Sequence, residues 1–456
     1  MSSPTGITPP SREDLRRQLD LGSAAAVVAG EAIAVGIFLT PAGMAKSLAS
    51  PFWLLIVWLA VGAMTLCGAL CFGELAGRFP SAGGPYVYLR ESFGPLTAFL
   101  YGWMSLLVLD PGLTAAFAVG FAAYAAYIFH WPPLIVKIAA VTAIWAVCSL
   151  NILSTRISAG FLRSITWLKF AVLATLTVWA FVSRLGSWSN FVPFVAQRAG
   201  ALPLAPGLGA ALVGAFFCFG GWWDAAKIAG EVRDPGRTLP RALALGVIAV
   251  TVVYIVISAV FIYLVPIEKV ASDGTFVAQA GEALFGPAGG IVLSTIVIVC
   301  VLGSLAAFIM SAPRVYYAMA RDGVFLKSVA RLHPRFGTPA RAITVQGVIA
   351  SILVALGSFE QIIAYFFFVA VLFLGLAVAG LFVIRRKPRQ AETIILTAGY
   401  PFTPIAFLTL QVTMLILLAT RNPREAALGS AVVLAGWPVF ILSPKILGWI
   451  RKRRAA

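Results

Sequence analysis

Charge is scarce in this sequence: only 11% of its 456 residues are Asp, Glu, Lys or Arg, against about 25% in soluble domains. Histidine is nearly missing, and its two copies, His130 and His333, cannot be assembled by spacing into a metal-ligand cluster. The five cysteines, Cys67, Cys71, Cys148, Cys218 and Cys300, fall within or near apolar runs. None is placed for an extracellular disulfide, which argues against redox chemistry. No convergent nucleophile, base or metal set is visible, so neither an enzyme nor a bound cofactor is expected. Long polar stretches are lacking as well. The polar ends, of about 20 and 8 residues, are too short for the soluble output domain of a membrane sensor, the least favoured alternative. The first twenty residues also lack the apolar core of a signal peptide, so insertion is expected to begin with the first apolar run.

What is present is apolar. Hydrophobic residues make up 60% of the chain and the mean hydropathy is +0.95, which excludes a soluble fold. Runs of roughly 18 or more nearly uncharged residues recur throughout, each able to cross a hydrocarbon core of about 30 Å as a helix. The predicted spans are 21–45, 52–77, 96–128, 134–151, 162–183, 207–231, 240–265, 288–318, 341–356, 359–384, 401–420 and 426–448. Their continuity excludes a β-barrel, whose strands would be about 10 residues long with alternating polarity. The expected fold is an all-α membrane protein of twelve transmembrane helices. A single membrane domain over 21–448 would lie between a tail at 1–20 and a basic tail at 449–456.

The net charge of +17 could suggest nucleic acid in a soluble protein, but here the placement of the cations carries the information. With the N-terminus in the cytoplasm, the inward segments hold Arg12, Arg16, Arg17, Arg78, Arg90, Arg156, Arg163, Arg233, Arg237 and Arg241. They also hold the basic groups of 321–341, 385–389 and 445–454. The outward segments hold only Lys46, Lys137, Arg184, Arg198, Lys269, Arg421 and Arg424. Both termini are therefore expected in the cytoplasm of a cell whose inner membrane holds the protein. The basic excess can attract anionic membrane lipids and calls for no nucleic-acid partner.

Two apolar segments are interrupted in matching ways. The first span reads VVAGEAIAVGIFLTP, in which Gly30 and Gly36 bracket Glu31 and Pro41 follows. The sixth reads LVGAFFCFGGWWDAAKIAGE, with Gly214, Gly220 and Gly221 ahead of Asp224. Glycine in a membrane helix often serves only close packing. A pair of polar interruptions, each in the first helix of a five-span half, points instead to discontinuous helices that hold a substrate at the midplane. The halves would be repeats at about 21–183 and 207–384, followed by helices eleven and twelve at about 401–448. Unpaired N–H groups at a broken helix end suit a carboxylate, and unpaired carbonyls at the facing end suit an ammonium.

Three long stretches resemble the amino acid, polyamine and organocation superfamily of transporters, and most closely its L-type amino acid transporter branch. They are GELAGRFPSAGGPYVYLRESFG from Gly73, FGGWWDAAKIAGEVRDPGRTLPRA from Phe219, and ARDGVFLKSVARLHPRFGTPARAI from Ala320. The resemblance implies a five-plus-five inverted repeat with two extra helices, alternating access, and an amino acid held between the breaks of helices one and six. It places Ala34, Val35 and Gly36 in the carboxylate-binding stretch, Gly30 and Ile33 beside them in the substrate site, and Phe217 as the aromatic that covers the substrate. Cys218, Phe219, Gly220, Gly221 and Trp222 would line the sixth-helix break. Lys169 matches a lysine standing where sodium-dependent relatives bind a cation, which implies sodium independence. Where the family usually has Gly-Ser-Gly, this chain has Ala34, Val35 and Gly36, which leaves room for a smaller or decarboxylated substrate. Some animal members join a heavy chain through a cysteine between helices three and four. Residues 129–133 supply none, so no disulfide-linked heavy chain is expected.

Charges inside a membrane are costly unless paired or hydrated. Glu31 and Lys169 are expected to pair and to hold the inner part of helix one closed, either as a mobile gate or as a static pair. Asp110, in VLDPGL, is expected to cap backbone freed by Pro111, with a hydrated cavity or a place near the outer leaflet as the alternatives. Glu74, Glu231, Arg233 and Asp234, near cytoplasmic ends, are expected to form gating or structural salt bridges. Trp53, Trp58, Trp103 and Trp131 read as interface anchors or packing. The function expected is sodium-independent transport of small or neutral amino acids by exchange or proton coupling. The alternative is a cationic amine or polyamine carried by the same fold.

Overall fold

The computed structural model describes residues 15–34, 36–267, 281, 284–356, 359–387, 394–421 and 423–442. The chain is helical along nearly all of this length, and a β-bridge joins Leu19 to Val232. We number the principal helices α1 Leu21–Ala32, α2 Gly36–Leu48, α3 Pro51–Arg78, α4 Pro85–Phe93, α5 Pro95–Phe129, α6 Pro133–Leu153 and α7 Thr155–Val182. Then follow α8 Leu204–Cys218, α9 Pro235–Leu264, α10 Gly289–Arg321, α11 Ala340–Leu356, α12 Phe359–Ile384, α13 Phe402–Arg421 and α14 Pro423–Leu442.

Helices dominate because a bilayer offers no water to unpaired backbone groups. Proline opens several of them (α3, α4, α5, α6 and α9), where its missing N–H costs no intrahelical bond. Nine helices among the described residues are long and apolar enough to cross a membrane. Shorter apolar helices lie at Leu21–Ala32, Ala340–Leu356 and Ala426–Leu442, where the sequence predicts spans one, nine and twelve. Large apolar side chains point outward, among them Trp167, Leu168, Val178, Trp179 and Val182 of α7. A surface of this kind suits lipid rather than water, and the protein is a multi-pass membrane protein.

Boundaries differ from the sequence reading in places. The fifth span begins at Thr155 rather than 162, because Ser154 caps it by accepting from the Ile157 N–H. The seventh begins at Pro235 rather than 240. In α5 the helix widens into a π-turn over Ser105–Leu109, just before Pro111, which has no N–H to give to the carbonyl four residues back.

The most extensive helix contacts join α3 to α9 and α5 to α10, pairs that lie five spans apart in the predicted order. Glycine permits the first of these. A Cβ on Gly73 would stand 2.8 Å from the Pro240 Cα, so the two backbones meet directly there. The segment before α1 is tied to the exit of the sixth span: the Gln18 and Leu19 N–H groups donate to the Glu231 carbonyl at 2.8 and 2.9 Å. Spans one and six are thereby joined outside the helices as well as within them.

Gly73→Val should force α3 away from Pro240 and destabilise the protein by about 1–3 kcal/mol, as overpacking does elsewhere. Thermal unfolding of the detergent-purified variant measures this, and an unchanged melting temperature would contradict the close backbone contact.

Candidate functional site

The first span breaks at Ile33 and Ala34. Ile33 caps α1, and the Ala34 N–H turns back to the Ala32 carbonyl at 2.9 Å, so the carbonyls of this turn lose their usual helical partners. Lys169 on α7 replaces them. Its Nζ donates to the Gly30 carbonyl at 2.9 Å, the Ile33 carbonyl at 2.8 Å and the Ser304 hydroxyl at 3.1 Å. All three ammonium hydrogens are thus used. Ser304 on α10 also lies 2.6 Å from the Gly30 carbonyl.

The expected Glu31–Lys169 pair is therefore corrected. The two side chains make no ion pair, because Lys169 is spent on backbone carbonyls, while Glu31 turns toward the sixth span and accepts from Ser311 Oγ at 2.8 Å through its Oε1. The other carboxylate oxygen, Oε2, is buried with no hydrogen-bond partner.

The sixth span is broken by its glycines. Helix α8 ends at Cys218, the Gly220 N–H bonds back to the Phe217 carbonyl, and Gly221 adopts φ +96°, where a side chain would be strained. Space demands glycine too, since a Cβ on Gly221 would stand 2.7 Å from the Glu31 Cβ. Two short 3-10 turns, Trp222–Ala226 and Ala229–Glu231, carry the chain onward. Tyr254 on α9 bridges both breaks, its hydroxyl lying 2.6 Å from the Ala32 carbonyl and 2.7 Å from the Cys218 carbonyl. With a single hydrogen it serves one of them at a time.

A second buried charge group lies beside Glu31. Lys227 Nζ stands 3.0 Å from Asp224 Oδ1 and 3.3 Å from Asp110 Oδ1, and the Tyr316 hydroxyl donates to Asp110 Oδ2 at 2.9 Å. Asp110 thus ties α5 to the sixth-span break and to α10. The expectation that Asp110 caps backbone freed by Pro111 is corrected: its enclosed carboxylate is spent on Lys227 and Tyr316. Lys227 was missed as a site residue in the sequence. The signal available was its i,i+3 spacing from Asp224, which a helical turn brings together.

Between the breaks lies a cavity of about 120 Å³, well above the roughly 10–15 Å³ that one water needs. Of the predicted residues, Glu31, Ala34, Gly36, Phe217, Cys218, Gly220 and Gly221 line it. Gly30, Ile33, Phe219 and Trp222 do not. The first two hold Lys169 behind the wall. Phe219 packs on Trp58 and Tyr254, and Trp222 on Phe72 and Phe407. Val35 lies outside the described residues. Trp58 is accordingly a buried support of the break rather than an interface anchor. Leu113 and Phe117 of α5, Phe308 of α10 and Phe367 of α12 complete apolar walls that sequence reasoning did not find, because apolar residues in apolar helices carry no local signal.

Of the charges near the helix ends, Glu231 and Glu74 form salt bridges, and in buried places, whereas no ion pair is seen for Arg233 or Asp234 among the described residues. Glu231 meets Arg314 at 2.7 Å, and Glu74 meets both Arg78 and Arg385.

The chemistry of the cavity is that of a small polar solute in a dry container. The start of α2 presents N–H groups without intrahelical partners, at the positive end of the helix dipole, and suits an anion. Glu31 offers one free carboxylate oxygen. The remaining walls are almost wholly apolar.

Comparison with known proteins follows the same line. A sequence model described as amino acid permease matches residues 19–449. The chain is similar to the serine/threonine exchanger SteT of Bacillus subtilis (strain 168), with 28% identity over 93% of this chain and 96% of that protein. It is 32% identical to the b(0,+)-type amino acid transporter 1 of Oryctolagus cuniculus over 84% of this chain and 79% of that one. With the cystine/glutamate transporter of Homo sapiens it shares 26% identity over 98% of this chain and 89% of the other.

Lys227→Met would leave Asp110 and Asp224 buried without their cation. The expected loss is about 3–5 kcal/mol, with partial recovery when Asp110→Asn is added, measured by thermal unfolding of purified single and double variants. Full stability of Lys227→Met would contradict the triad.

Proposed function

The chain belongs to the amino acid permease family, and from that premise we propose that it is a sodium-independent secondary transporter of small or neutral amino acids, working by alternating access. The observation that carries the reading is the cavity closed between the two helix breaks, with the N-terminus of α2 on one side and a free carboxylate oxygen on the other. A zwitterion supplies the charge that each end lacks. The relatives support the same substrate class: a serine/threonine exchanger, a b(0,+)-type amino acid transporter and a cystine/glutamate transporter.

Sodium independence follows from Lys169. A sodium ion needs several oxygen ligands, and the Gly30 and Ile33 carbonyls with the Ser304 hydroxyl already surround the Lys169 amine. Exchange and proton coupling are the two modes consistent with a site that contains its own cation. The alternative ligand, a cationic amine, draws on Glu31, which could hold an ammonium with no carboxylate partner.

We assign the two repeats to about 21–183 and 207–384, supported by the packing of α3 on α9 and α5 on α10, and read the domain as one transporter unit over 21–448. The segregation of Lys and Arg supports cytoplasmic termini in a cell inner membrane.

Uptake of labelled L-alanine into proteoliposomes preloaded with unlabelled amino acids, with and without a pH gradient, tests the proposal. Uptake is expected to persist when choline replaces sodium and to be inhibited by neutral amino acids. A strict sodium requirement, or inhibition by amines alone, would overturn it.

A further inference from the structure

We propose that Glu31 is a specificity-determining residue that binds the ammonium group of the transported molecule through its free Oε2, in the place where helix-break carbonyls would otherwise serve. The proposal rests on the transport reading and deepens it by naming how the amine is held.

Four observations carry it. First, Glu31 lines the cavity, is buried, and keeps one carboxylate oxygen without a partner. A buried carboxyl oxygen left in this state is costly unless a proton or a cation meets it. Second, the usual acceptors are taken. Lys169 holds the Gly30 and Ile33 carbonyls, the Ala34 N–H reaches the Ala32 carbonyl, and the Tyr254 hydroxyl lies on that of Cys218.

Third, the buried titratable groups leave a charge to be supplied. Glu31, Asp110 and Asp224 are three carboxyl groups beside two amines, Lys227 and Lys169, so either a proton on one carboxyl or a further cation balances the site. The charged neighbours of Glu31 are Asp224, whose carboxyl lies within hydrogen-bonding reach of its own, and Lys227 from the sixth span, with Lys169 from α7; Asp110 of α5 reaches it through Lys227, and α10 contributes the neutral Ser311. Lys227 is held between two aspartates, and Lys169 spends its three hydrogens elsewhere, so neither donates a hydrogen bond to Oε2.

Fourth, the side chain is fixed for this task. Ser311 donates to Oε1, and Gly221, with no side chain of its own, leaves room for Oε2 against the sixth-span backbone. A ligand amine on Oε2 and a ligand carboxylate at the start of α2 would place the remaining group against Phe117, Phe217 and Phe367. The ligand class is therefore a compact primary ammonium, with a short neutral side chain facing apolar walls.

Binding to the purified full-length protein tests this, with the twenty common L-amino acids, ethylamine and propionate as probes and ligand-induced thermal stabilisation as the readout. Ethylamine keeps the ammonium and lacks the carboxylate; propionate does the reverse. For the wild-type protein, amine-bearing probes should bind and propionate should not. Glu31→Gln, which keeps an oxygen for Ser311, should weaken every amine-bearing ligand by about 30-fold or more. Glu31→Asp, which keeps the charge but shortens the reach, should lose less. Size-exclusion elution and the ligand-free melting temperature show whether each variant is folded, and if Glu31→Gln fails to fold, Glu31→Asp together with Ser311→Ala carries the comparison. Affinity within threefold of wild type in the folded variants would overturn the proposal. So would retained affinity joined to a lost response to a pH gradient in proteoliposomes, which would make Glu31 a proton carrier. Failure of the wild-type protein to bind any probe would instead overturn the transport reading itself.

Discussion

The structure depends on one ammonium. A helix broken inside a bilayer exposes carbonyls that no water can reach, and each unsatisfied group costs several kcal/mol. Lys169 meets this cost at the first break with all three of its hydrogens, on Gly30, Ile33 and Ser304. It joins α1, α7 and α10 at one point and fixes where α1 stops. Because its hydrogens are exhausted there, it makes no hydrogen bond to Glu31, whose carboxyl turns to the sixth span instead. One buried amine therefore shapes both the backbone of the site and its charge.

The rest of the cavity follows. Glu31 reaches across to the sixth span because Gly221 has no Cβ, and the positive φ that glycine accepts there turns the chain into the 3-10 segment carrying Asp224 and Lys227. Asp110 is brought into contact with Lys227 by the wound-out turn ahead of Pro111. Tyr254 shares one hydroxyl between the two breaks, so a shift of either span relative to α9 changes which carbonyl it serves. Elements that hold each other through exchangeable hydrogen bonds can occupy two arrangements, which alternating access requires.

Much of this was legible in the sequence. The helical class, the membrane setting and the paired breaks followed from long uncharged runs and from Gly30, Gly36, Gly220 and Gly221, since length and glycine placement are local properties. The residues Lys169, Glu31 and Asp110 were singled out because ionisable groups are rare in apolar helices. Their partners were not legible. Glu31 and Lys169 were paired by sign, yet partner choice depends on which acceptors a third element leaves free, and the carbonyls of Gly30 and Ile33 carry no sequence mark. Lys227 escaped notice because it reads as a charge near a span end until the 3-10 turn folds it inward. Phe219 and Trp222 were assigned to the lining by position in a motif, while the irregular turn points them into the support behind it.

The account makes one central claim: the substrate lies between the two helix breaks, with Lys169 remaining on its carbonyls. The most direct measurement is a cryo-electron microscopy map of the full-length protein saturated with a transported amino acid. The expected map shows ligand density enclosed by Gly36, Phe217 and Glu31, and continuous density from Lys169 to the Gly30 and Ile33 carbonyls. Density for the ligand outside this cavity, or a Lys169 side chain displaced by the ligand from those carbonyls, would contradict it.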